Sequence, residues 1–216
     1  MNVGKGTVGF LLSLVLIISW SDCWAGPFGF EHGMTKDEIT TLVGRQSLVK
    51  IVNGNIYEFS TAPRPYEAFE FYLLMISPEK GLVKVWAISR DVDTGTDGEQ
   101  LKKKFQEIQT FVSETYGKGE TYDSLKAGSI WSAPKDWMLG LLKEERSLAC
   151  TWMLTIRKDD ITAIRLDTGA LSPEKGYVSL GYAFEGFAEY IEAADLKGAF
   201  LAGQWSEPAA QSPHDK

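Results

Sequence analysis

Apolar and polar positions along the chain follow two rhythms, and each predicts a type of element. Phe69, Phe71, Leu73 and Met75 alternate with Glu70, Tyr72, Leu74 and Ile76, and Leu82–Ile88 forms a second apolar, β-branched run. Both faces of these runs are largely apolar, which predicts central strands. Ser77-Pro78-Glu79-Lys80-Gly81 between them reads as the turn, with proline pre-setting φ and glycine accepting a positive φ. Leu48–Val52 and Asn55–Phe59 are two further predicted strands around Asn53-Gly54, a favoured hairpin turn.

The helical rhythm starts at Thr35, whose spacing to Glu38 makes a capping box. A short helix follows, with Ile39, Leu42 and Val43 inward and Gly44 as its stop. The clearest helix carries Leu101, Phe105, Ile108, Val112 and Tyr116 on one face, with Asp97 as cap and Gly117 as stop. After a polar, glycine-containing connection the order of elements recurs. Asp136–Arg146 reads as a helix, Leu148–Arg157 and Ile161–Asp167 as strands around Lys158-Asp159-Asp160, Tyr177–Phe184 as a strand, and Gly186–Leu201 as a final helix. The pentapeptide Ser-Pro-Glu-Lys-Gly returns at Ser172–Gly176, again just before a last strand. The expected fold class is α+β, built as two tandem helix-plus-antiparallel-sheet units in which an α-β-β-β-α pattern is repeated. The first unit spans 26–117, a connection 118–133, the second unit 134–203, and a disordered tail 204–216.

Residues 1–25 read as an export signal: Lys5, the apolar run Val8–Ile18, and Ala25 at a cleavage position before Gly26. The run is short for a membrane span, so the expected mature protein is periplasmic or secreted and not membrane-spanning. Whether the signal is cleaved or kept as an anchor stays open. Trp20-Ser21-Asp22 before Cys23 is no lipobox, and removal of Cys23 leaves Cys150, in a strand-like run, as a buried inert thiol. The net charge of −7 is spread over interspersed acidic and basic residues. That pattern argues against nucleic acid as a partner.

Gly33-Met34-Thr35-Lys36-Asp37-Glu38-Ile39, running on to Leu42-Val43-Gly44, resembles the start of the SmpA/OmlA envelope lipoproteins. The tandem helix-plus-sheet order is similar to the β-lactamase-inhibitor-protein fold. The resemblance covers at most Phe30–Arg90 and implies a small α+β binding scaffold of the cell envelope.

Catalytic groups are sparse. His32 and His214 are the only histidines, and no nucleophile motif surrounds His32. Asp91, Asp93 and Asp97 alternate as calcium ligands do, but counting from Asp91 places Thr96 and Lys102 where a calcium loop needs glycine and glutamate. The preferred reading is an acidic loop leading into a helix, with calcium left open. Glu185, Glu189, Glu192 and Asp195 line one face of the last predicted helix, as a solvated face does. No catalytic residue, metal ligand or cofactor is expected. Trp86 and Trp152 lie in predicted central strands, whereas Tyr66, Trp131 and Trp137 are the candidate interaction surface. The leading expectation is an exported, non-enzymatic protein that binds an envelope protein or another macromolecule through a sheet face or loop. The alternatives are an envelope hydrolase using carboxylates such as Asp91, Asp93, Asp97 or Glu185, and a glycan or small-ligand binder using exposed tryptophans.

Overall fold

The computed structural model describes residues 26–156 and 158–193. The predicted export signal, the tail and the end of the last predicted helix lie outside them. In chain order the helices are α1 (Lys36–Val43), α2 (Glu99–Tyr116), α3 (Trp137–Leu142) and α4 (Phe187–Ala193). The strands are β1 (Leu48–Asn53), β2 (Ile56–Phe59), β3 (Phe69–Ser77), β4 (Gly81–Ser89), β5 (Val92–Asp93), β6 (Glu120–Leu125), β7 (Arg146–Met153), β8 (Ile161–Ser172) and β9 (Lys175–Phe184). Together the described strands make one nine-stranded antiparallel sheet in the order β1-β2-β3-β4-β9-β8-β7-β6, with β5 joined to the start of β9. The fold class is α+β. No helix among the described residues is long and apolar enough to cross a membrane.

The alternation in the sequence divides the sheet into two faces. On one face Leu74, Val85, Leu166, Leu180 and Tyr182 pack with Leu101, Phe105, Ile108 and Val112 of α2 and Met138 and Leu141 of α3. On the other, Ile56, Met75 and Val83 meet Ile191 of α4, flanked by Phe187 and Tyr190. β3 and β4 are therefore apolar on both sides, as central strands should be.

The ladder between β4 and β9 runs from Lys84 opposite Ala183 to Ile88 opposite Ser179. One sheet thus passes without interruption through the regions 26–117 and 134–203.

Local chemistry sets the boundaries. The capping box on α1 is formed: the Thr35 N–H donates to Glu38 Oε2 at 2.8 Å, and the Glu38 N–H donates to Thr35 Oγ1 at 3.3 Å. At α2 the cap position falls on Gly98, with φ of 73°, while Asp97 Oδ1 accepts the Glu99 N–H at 3.3 Å. Glycine is required there because a side chain at 98 would run into the Trp137 ring.

Several boundaries differ from the sequence-based expectation, among them the end of β8, which runs to Ser172 where Asp167 was expected. The helix expected at Asp136–Arg146 is only Trp137–Leu142, because Glu144 turns to φ of 55° and Arg146 already starts β7. The strand expected to reach Arg157 ends at Met153. The connection 118–133 contains β6, whose residues Glu120–Ser124 are all exposed. An edge strand that buries neither face carries no apolar alternation to announce it.

Candidate functional site

Residues directly opposite each other in an antiparallel sheet share a face, so the register builds the surface turned away from α2 and α3 row by row. One row crosses Thr151, Arg165, Gly181, Trp86 and Leu73. The row on one side of it crosses Tyr122, Ala149, Asp167, Ser179 and Ile88. The row on the other side crosses Met153, Ala163, Ala183, Lys84 and Met75.

Small side chains at Ala149, Ser179, Gly181 and Ala183 form the floor of a shallow trough. Tyr122, 45% exposed, and Met153, 76% exposed, stand along one side. The other side is Trp86, with Lys84 Nζ 4.4 Å from its ring centroid and 4.3 Å from that of Phe187 on α4. Near the middle Arg165 and Asp167 form a two-pronged pair, Nε to Oδ2 at 2.8 Å and Nη2 to Oδ1 at 2.6 Å. The β6 end opens into a cavity of about 410 Å³ lined in part by Tyr116, Glu120, Tyr122, Thr151, Met153 and Arg165. Among the described residues, α4 covers β2–β4 on this side and no helix covers β6–β8.

The electrostatics follow from the packing. Burial lowers the Lys84 ammonium to about 7, against the opposing pull of the Asp167 carboxylate and with a further push from the Arg165 guanidinium. The Tyr122 phenol is raised, first by its hydrogen bond to Glu120. Burial, followed by the Asp159 carboxylate, pushes the Tyr116 phenol up to about 12. The trough thus combines two aromatic rings, a thioether, a guanidinium–carboxylate pair and small hydroxyls. These groups suit recognition by contact and hydrogen bonding, and none forms a nucleophile–base couple.

The residues nominated from sequence fall elsewhere. Tyr66 is half-buried, stacked on Phe111 with centroids 4.7 Å apart, and its N–H donates to the Tyr72 hydroxyl at 3.2 Å. Trp137 is 4% exposed and packs beside Gly98, with Lys102 Nζ 4.7 Å from its ring centroid. Trp131 is half-buried in the connection, its Cβ beside Gly140 of α3. Trp131 and Trp137 thus meet α3, and Trp137 also meets the start of α2. Tyr66 sits against Phe111, roughly 14 Å along α2 from Lys102 at 1.5 Å per residue. The structure does not gather the three into one surface.

The carboxylates are dispersed as well. Asp91 and Asp93 flank Lys175 at 3.4 and 3.7 Å, Asp97 is at the α2 cap, and Glu185 follows β9. No group of three or more His, Cys, Asp or Glu among the described residues could hold a metal ion. His32 Nδ1 lies 3.2 Å from Asp160 Oδ2, and its ring stacks on Phe184. Cys150 is fully buried, 3.4 Å from Gln109 Nε2. The trough residues Lys84, Met153 and Arg165 had only their strand alternation to mark them, and Tyr122, on the polar edge strand, had none; alternation shows a face only once the strand register is known.

No known protein family matches the chain, and neither the curated proteins nor the solved structures contain a significant match to it.

Proposed function

We infer that the protein is an exported, non-enzymatic binding module of the periplasm or extracellular space, which holds a partner protein of the envelope in the trough on the open side of β6–β9. The observation that carries this reading is the asymmetric cover of the sheet. Helices α2 and α3 bury one face of the second half, while Tyr122 and Met153 stand exposed on the other beside the Arg165–Asp167 pair. Exposed aromatic and thioether groups around a small-residue floor suit a protein interface, in which rings and arginine supply the anchors. Export rests on Lys5 and the apolar run Val8–Ile18.

The same reading takes the two halves as copies of one helix-plus-sheet unit. Its support is the β4–β9 ladder, centred on Trp86 opposite Gly181. Those two residues have the same separation in sequence as Ser77–Gly81 and Ser172–Gly176. A two-fold relation between copies requires such a pair at the centre of the strands that join them.

The test is site-specific crosslinking in the native envelope. A photoreactive residue is placed at Met153 and, as a control on the opposite side of the sheet, at Glu114 of α2, and adducts are identified by mass spectrometry. The expected result is one dominant envelope protein captured from position 153, absent from 114, and lost when Tyr122→Asp is added. Equal capture from both positions, or none from 153 under efficient activation, rejects the trough as the interface.

A further inference from the structure

The two edges of the sheet differ in chemistry. β6 is a polar edge, Glu120-Thr121-Tyr122-Asp123-Ser124-Leu125, with carboxylates on both sides of its pleat. Charged side chains on an edge discourage pairing with another strand. β1 at the opposite end is Leu48-Val49-Lys50-Ile51-Val52-Asn53, with Val49 55% and Ile51 60% exposed. Its single charge is neutralised by Glu58, whose carboxylate lies 3.0 Å from Lys50 Nζ. Among the described residues no strand lies beyond β1, so its outward backbone groups meet no ladder. It is therefore a β-branched edge without the charge that usually protects one.

We propose that β1 is a strand-addition site, which takes an extended, flexible segment of a partner polypeptide with apolar side chains at alternate positions. Backbone hydrogen bonds to the outward edge supply the affinity, and Val49 and Ile51 supply the side-chain contact. Two features select a flexible segment over a second copy of this chain. The β1–β2 pairing shifts register between Leu48 and Lys50 and again between Ile51 and Asn53. Such irregularities twist and bend an edge, so another rigid sheet cannot lie along it, whereas a single strand can follow it. Two copies would also each bring a net charge of −7. This site is separate from the trough, and its failure would leave the trough reading untouched.

The experiment uses the full chain and a soluble nine-residue peptide of alternating valine and threonine with a lysine at each end. Amide hydrogen exchange is followed with and without it, and a second peptide of the same sequence carries an N-methyl group on every internal residue, which removes the donors of both its edges. The expected result is about tenfold slower exchange of the outward amides in Val49–Val52 with the first peptide and no change with the second. Equal protection by the N-methylated peptide, protection at β6 in place of β1, or no protection at all overturns the proposal. Protection of these amides without peptide also overturns it. Dependence on protein concentration would then assign the edge to a second copy, and independence would assign it to the chain itself.

Discussion

Trp86 and Gly181 face each other across the β4–β9 ladder, and the indole fills the space that a side chain at 181 would need. A Cβ at Gly181 would lie 3.1 Å from Trp86 Cδ1 and 3.3 Å from Nε1. Gly181→Val is therefore expected to displace the ring, cost about 1–3 kcal/mol, and change the part of the tryptophan emission that Trp86→Phe removes. Denaturant titration with fluorescence checks both effects. An unchanged midpoint and spectrum would mean that the ring moves aside at no cost.

Lys84 makes stability depend on pH. Its folded-state value of about 7 lies below the ordinary 10.5. Between those values the unfolded chain binds more protons, so this group makes stability rise with pH from about 7 and level off near 10.5. The slope from a single group is at most about 1.4 kcal/mol per pH unit. Lys84→Met should remove that rise. Urea denaturation of both proteins at about pH 6.5 and about pH 10 measures it, and parallel behaviour of the two would show that Lys84 keeps its ordinary affinity for protons.

The α1 cap gives a signal of the same sign in acid, where stability again rises with pH. The Thr35 backbone N–H, and after it the Thr35 side chain, hold the Glu38 carboxyl below its ordinary range. A carboxylate lowered in the folded state contributes stability above its unfolded value and loses it as pH falls through the folded one. Stability curves of the wild type and Glu38→Gln should therefore converge in acid. Thr35→Ala is expected to cost about 1 kcal/mol at neutral pH through loss of the cap.

Gly98 and Trp137 form a structural pair. Gly98→Ala places a side chain at φ of 73° and against the indole, so it should cost about 1–3 kcal/mol. Combining it with Trp137→Leu should cost less than the sum of the single changes, because the smaller side chain relieves the clash. Strict additivity in a double-mutant cycle would contradict the contact.

Most elements could be read from the chain because their signals are local. The Thr35–Glu38 box, the Gly44 and Gly117 stops, the Ser77–Gly81 turn and the alternation in β3 and β4 are each decided within a few residues. The candidate site could not be read in this way. Tyr122, Met153, Arg165 and Trp86 come together only through the registers of β6, β7, β8, β9 and β4. Trp137 misled for a related reason. A tryptophan at the start of a six-residue helix looks exposed until Gly98, distant in sequence, is found against its ring.

β9 comes after every other described strand in the chain, yet it lies between β4 and β8. A nascent chain that stops short of Lys175 can form β1–β4 and β6–β8 only as two separate pieces. Each piece then ends in an unpaired strand rich in branched apolar residues, β4 in one and β8 in the other. The closing contact joins residues as far apart as Lys84 and Ala183, so it waits on a large loop and on the synthesis of β9. Truncation before Lys175 is therefore expected to leave two sticky edges, both of which β9 covers in the complete sheet.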